Sequence, residues 1–159
     1  MAAQPAPTIH ELSQELIGVV SALPEFQNRG FSVFDLDDMA EIVQHEYLPL
    51  VGITYEGRTP VGDAAQGKTS TARTATMTQV NFSILIAVRY GSAIGIDDTK
   101  VDAVNLLDAT NRAVLGYKGV NYRGWVFNGE SPLPSEIEGV IFYGQSWSIR
   151  LPVVGNFGT

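Results

Sequence analysis

Between Thr76 and Tyr90 the chain alternates apolar and polar residues, a pattern that fits an extended strand with one buried face. Val80, Phe82, Ile84, Ile86 and Val88 fall on one side, and Gln79, Asn81, Ser83 and Arg89 on the other. A strand with one wet face belongs to an antiparallel sheet, because parallel strands are covered on both sides. Tyr47 to Tyr55, rich in β-branched and aromatic residues, reads as its partner. The polar, glycine-containing stretch between them makes a hairpin with a long loop over residues 56–76. Hairpin loops usually have about two to five residues, and much longer ones are functional or disordered.

Helical signals flank this hairpin. Pro5 and Pro7 set off residues 1–7 as a flexible arm, and Thr8 then fits an N-cap with Glu11 completing a capping box. Ile9, Leu12, Leu16, Ile17, Val20 and Leu23 form an amphipathic stripe that ends before Pro24. Residues 25–34 read as a loop through Gly30, and Asp35, Asp37 and Asp38 precede a short helical pattern with Met39, Ile42 and Val43 on one face. Acids at a helix start are explained by the helix dipole more simply than by a metal cluster. Asp97, Asp98 and Thr99 supply caps for a second long helix with Val101, Val104, Leu107, Val114 and Leu115 as its stripe.

Two further strands close the chain. Tyr122 to Asn128 is one, Gly129 to Ser135 a turn, and Val140 to Leu151 the other, with Ile141, Tyr143, Trp147, Ile149 and Leu151 on one face. Gly144 inside that strand predicts a bulge or a close approach by another backbone. Residues 152–159 show no periodicity and read as a flexible tail. The expected fold is α+β: a four-stranded antiparallel sheet of two hairpins, with two long helices and a short one packed on one face. Residues 8–151 form its single domain; at 159 residues the chain can bury roughly 70% of its unfolded surface without a staple.

Composition narrows the chemistry. The absence of cysteine excludes a disulfide framework, a thiolate nucleophile and a cysteine-ligated metal. A net charge of −7 argues against a protein that coats phosphate backbones. The charge is uneven: residues 1–57 carry nine acids and one base, Arg29, whereas residues 58–159 carry eight acids and nine bases. The N-terminus lacks the basic start and apolar stretch of a secretory signal, and the longest strongly apolar run, Ile84 to Val88, falls far short of the roughly 20 residues that span a bilayer. These features predict a soluble intracellular product without membrane contact.

Gly62, Gly67, Lys68 and Thr69 satisfy the spacing of a phosphate-binding loop. Such a loop leaves a parallel strand and launches a helix whose N-terminus faces the phosphates. Here Glu56 to Pro60 separates the match from the preceding strand, and Thr69 to Thr78, with five threonines, has no helical stripe and leads into a strand. The match therefore reads as a coincidence in a loop, and no cofactor is expected. Gly144-Gln-Ser146-Trp-Ser148 lacks the final glycine of a nucleophile elbow, His10 and His45 lack metal-ligand spacing, and Asp97 and Asp98 are capping acids. No residue reads as catalytic. What remains is a basic loop (Arg58, Lys68, Arg73) and an acidic segment (Asp35, Asp37, Asp38), which as a contact between copies would run head to tail and could close into a ring.

The order of these segments resembles the tail terminator, or tail completion, proteins of long-tailed bacteriophages. The likeness covers most of residues 8–151. It lies in the helix Ile9–Leu23, the hairpin Leu48–Tyr55 and Met77–Tyr90 with its long polar loop, the helix Val101–Leu115, and the closing hairpin with Gly124-Trp-Val-Phe127 and Val140-Ile-Phe-Tyr143. The resemblance implies a non-enzymatic virion subunit of the tail or neck, assembled in the host cytoplasm. Its partners would be its own copies in a hexameric ring, the tail tube protein, the head–tail connector and, where the tail has one, the sheath protein. DNA would pass through without specific binding, which suits an acidic chain. Another connector, tube or sheath adaptor is the neighbouring reading, and a small nucleotide-binding protein the distant one. If the Gly62–Thr69 match is a coincidence, ATP or GTP with magnesium leaves the melting temperature unchanged in both the wild type and Lys68→Ala. A nucleotide-dependent rise that Lys68→Ala abolishes would reinstate the motif.

Overall fold

The computed structural model describes residues 6–62, 75–90, 96–118 and 124–154. Thr8 caps α1 (Ile9–Ser21) as its sequence predicts: its hydroxyl accepts from the Glu11 amide at 3.1 Å, and its own amide donates to Glu11 Oε2 at 2.7 Å. This reciprocal pair satisfies amides that a helix start otherwise leaves open. Leu12, Leu16 and Val20 are fully buried, with Ile9, Ile17 and Leu23 packed at the margin of the same core.

The remaining elements are β1 (Gly30–Ser32), α2 (Leu36–Val43), β2 (Leu50–Pro60), β3 (Ala75–Arg89), α3 (Ile96–Gly116), β4 (Val126–Leu133) and β5 (Val140–Val154). They form one sheet in the order β1-β2-β3-β5-β4. Neighbours are antiparallel except β1, which runs parallel to β2 with Gly30 opposite Val51 and Ser32 opposite Ile53. The sheet is thus five-stranded and mixed, which corrects the expected four antiparallel strands. The extra strand has three residues, too few for alternation to register, and it sits in the stretch read as a loop. A parallel neighbour needs a crossover, and α2 supplies it.

The helices also divide between the two faces. α1 and α3 share a core with Val51, Ile53, Val80, Phe82, Ile84, Ile86, Trp147 and Ile149. α2 instead buries Met39 and Val43 against Leu50, Leu85, Ala87 and Phe142, residues of the opposite sheet face. The expectation of one covered face fails because the polar side of β3 is polar for only part of its length: Gln79, Asn81 and Ser83 give way to Leu85 and Ala87. α2 covers the end where they do. Gly52 makes its approach possible, since a Cβ there would lie 2.7 Å from Met39 Sδ and 3.0 Å from Val33 Cγ2.

Other boundaries move for identifiable reasons. β2 continues to Pro60 and β3 begins at Ala75, so both ends of the expected 56–76 loop are paired strand. β5 likewise runs to Val154, and Met77 opposite Pro152, Thr76 opposite Val153 and Ala75 opposite Val154 extend the ribbon past the last β2 pair, Pro60 with Thr78. β4 reaches Leu133 through the predicted turn. It tolerates Pro132 because it is an edge strand, where a missing amide breaks no ladder. Register shifts fall between Tyr55 and Gly57 and between Phe127 and Gly129, whereas Gly144 stands in regular pairing opposite Leu85. The close approach at Gly144 is made by the Leu133 side chain, 3.1 Å from where a Cβ would sit.

α3 buries Leu107 and Val114 of the stripe that the sequence suggests but turns the rest of its inward face differently. Ala103, Leu106, Leu107, Thr110 and Val114 are buried, while Val104 and Leu115 are half exposed. The Thr110 hydroxyl, fully buried, donates to Leu106 O at 2.9 Å within the helix. The helix is fastened to β5 by Gln145, which is fully buried. Its Nε2 donates to Leu107 O at 3.0 Å and to Glu130 Oε1 at 2.7 Å, and its Oε1 accepts from Trp147 Nε1 at 3.3 Å. Gln145→Leu would strand the buried indole N–H and remove both donated bonds. The expected cost is about 2 kcal/mol, a fall in melting temperature of roughly 4–8 °C by calorimetry.

Candidate functional site

Of the charged residues that the sequence singles out, Asp35, Asp37 and Asp38 lie at one corner of the sheet, where β1 ends and α2 begins. Val51 N donates to Arg29 O at 3.2 Å and Val33 N to Ile53 O at 2.9 Å, so the odd residues of β2 turn their backbone groups outward to β1. The chain then leaves the edge. Thr54 Oγ1 donates to Phe34 O at 2.8 Å, and Asp35 caps α2 by accepting from the Asp38 amide at 2.9 Å. Asp38 Oδ2 accepts from the Phe34 amide at 3.0 Å. This turn projects the Phe34 side chain into solvent, 93% exposed.

Beyond Ile53 the outward edge of β2 has no strand neighbour among the described residues. Tyr55 is the next residue with outward backbone groups. After the bulge, Val61 N donates to Met77 O at 3.0 Å, so residues 57, 59 and 61 face β3 while Arg58 and Pro60 face out. A depression opens on each face of the sheet beside Thr54. The one on the α2 face, about 280 Å3, runs from Phe34, Asp35, Thr54 and Glu56 across Ser83 to Ser146 of β5 and Ser131 of β4. The one on the α1 side, about 520 Å3, is bordered by Ile9, His10, Ser13, Val33, Phe34 and Tyr55. Tyr55 is held by Phe82 at 5.6 Å between ring centroids, and Phe82 meets Trp125 edge-on at the same distance.

The residues proposed for a contact between copies occupy distinct places. Asp35 and Asp38 are engaged in capping, while Asp37 is exposed on the outer side of α2. Arg58 stands opposite Val80, whose side chain joins the α1/α3 core, so it starts from the other sheet face. Among the described residues the ion pair present is Arg112 with Asp108 at 2.9 Å, one helical turn apart in α3. Of the phosphate-loop match, Gly62 lies two residues past the end of β2, with φ of +72°. Gly67, Lys68 and Thr69 lie outside the described residues, as does Arg73. The strands flanking that match are antiparallel neighbours, not the strand–helix unit a phosphate loop needs.

Among the described residues no group of three His, Asp or Glu side chains is placed to hold a metal ion, and no helix is long and apolar enough to cross a membrane. Sequence reasoning missed Phe34 and Tyr55 as surface features, because what exposes them is the shortness of β1. Comparison of the chain with protein-family models and with curated proteins finds no match.

Glu15, on the inner shoulder of α1, is the titratable group among the described residues whose pKa the fold clearly shifts. Burial raises its pKa above the ordinary value of 4.5, and the neighbouring Trp125 indole only partly offsets this. Glu15 Oε1 and Trp125 Nε1 are both buried without a well-aligned partner. A carboxyl whose folded pKa is raised is destabilising once ionised, and the penalty fades as pH falls from its raised pKa toward 4.5. Glu15→Gln therefore raises the melting temperature at pH 7, and that gain disappears in scans below pH 4.5.

Proposed function

We propose that this chain is a virion structural subunit of the tail terminator type. Copies of it would form a ring, six in the resembling family, that caps the tail tube and presents its other face to the head connector. The observation that carries the reading is the placement of charge. Arg58 and the exposed α2 acid Asp37 start from opposite faces of one sheet, so a head-to-tail neighbour can join what a single copy keeps apart. Lys68 and Arg73, on the connection after β2, add to the basic side in sequence.

Two further features support assembly. The sheet has two unlike edges, β1/β2 and β4, and an association of unlike surfaces is the kind that closes into rings. Phe34, Tyr47, Val126 and Val154 expose more than half of their surface, apolar area of the sort that partners cover. The acidic balance suits a passage through which DNA slides, since few cations means little counterion release. A connector or adaptor in the same neck would draw on the same surfaces and differ in what lies above and below.

Purified protein added to assembled tail tubes should place a ring on the tube end, visible by electron microscopy. Asp37→Lys weakens that capping by about tenfold in protein concentration, and combining it with Lys68→Glu restores part of the loss. Bare tube ends at saturating protein would end this reading.

A further inference from the structure

A cavity of about 500 Å3 lies where the end of β3, the first turns of α3 and the connections leading into β1 and β2 meet. We propose that it binds a short apolar peptide with both termini free, held by its ammonium and carboxylate groups across an apolar floor. The inference goes beyond the ring reading and shares no residue with it, since neither Arg58 nor Asp37 borders this cavity.

The floor is built from the core. Val88, Ala103 and Leu106 are buried and Leu48 and Pro49 half-buried, and all five border the cavity. A pocket of about 300–1,000 Å3 with apolar walls and a few convergent polar groups is the usual form of a small-molecule site. The polar groups here come from three separate stretches of chain: Glu25 after α1, Arg89 at the end of β3, and Asp102 and Asn105 on α3. All four residues are exposed and stand at the rim.

Charge identifies the occupant. Glu25, Asp102 and Arg89 border one cavity, yet no ion pair joins them, because among the described residues the pair present is Arg112 with Asp108. Charges of both signs that ring an apolar floor without meeting one another leave a gap for a ligand to bridge, its cation toward the carboxylates and its anion toward the guanidinium. A purely cationic ligand would cover Arg89 without pairing it, and a purely anionic one would face two carboxylates. Asn105 adds an amide, a donor and an acceptor together, which is the complement of a peptide group. An apolar dipeptide carries ammonium, peptide group and carboxylate in one molecule, with side chains for Leu48, Val88 and Leu106 to cover. A single amino acid lacks the group that Asn105 matches.

The test is an NMR titration of the full-length chain with three probes that share the same apolar side chains: leucyl-phenylalanine, its N-acetyl form without the cation, and its C-terminal amide without the anion. The free dipeptide should bind with Kd below about 1 mM and shift the amides of Val88, Ala103 and Leu106. Blocking either terminus should weaken binding about fivefold or more. Arg89→Gln should abolish the advantage of the dipeptide over its amide, and Glu25→Gln combined with Asp102→Asn its advantage over the N-acetyl form. These side chains are exposed, so the variants should keep the fold, and the comparison of the three probes on the wild type decides without them. No saturable shift at those amides up to about 10 mM, shifts confined to another part of the chain, or equal binding of all three probes would each overturn the proposal. Variants that fold and discriminate among the probes as the wild type does would overturn it as well.

Discussion

The change of character along one side of β3, from Ser83 to Leu85, is the constraint on which the architecture turns. Up to Ser83 that side is hydrophilic and the sheet needs one helical layer. From Leu85 onward it is apolar, and leaving it wet would expose Leu85, Ala87 and the facing Leu50 and Phe142. A helix must lie there, and the chain between β1 and β2 is the one that does. Once α2 crosses from one side of the sheet edge to the other, β1 and β2 have to be parallel, and the order of the remaining strands follows from two hairpin-like pairings around β3 and β5.

The opposite layer is held by different means. α1 brings a broad apolar stripe, whereas α3 brings a narrower one containing Thr110, and its docking is completed by Gln145 inside the core. A buried amide with all its donors engaged costs little and fixes one register of helix against sheet, because a shift of one residue would leave it unpaired. Glu15 and Trp125 show the contrary case, two polar groups drawn into the same layer without full compensation.

Much of this was legible in advance. Thr8 and Glu11 announced α1 through a local motif whose meaning does not depend on the rest of the chain. β3 announced itself by alternation. What escaped were features set by distant parts. The three residues of β1 carry no pattern, and only their pairing with Val51, Gly52 and Ile53 makes them a strand. Leu85 and Ala87 were a visible break in the polar row of β3, and Gln145 a visible break in an apolar one; each marked a tertiary contact. Val104 and Leu115 satisfied helical spacing as well as Leu106 did, and the choice among them was made by tertiary packing that turned Ala103, Leu106 and Thr110 inward. The acidic cluster was legible as capping chemistry at Asp35 and Asp38, and the unpaired β2 edge was not legible at all, since it follows from where another strand stops.

The overhang of β3 and β5 past Pro60 has a mechanical consequence. Past the Val61–Met77 hydrogen bond the described sheet narrows to the two strands β3 and β5, which carry exposed Val153 and Val154. Two strands are marginal by themselves, so this tip is held by fewer described neighbours than the three-layered body and can bend while that body keeps its shape. A rigid block with a pliant apolar end tolerates misalignment: it can seat against a surface whose symmetry or tilt does not match its own, and the strain of the mismatch stays in the last few residue pairs.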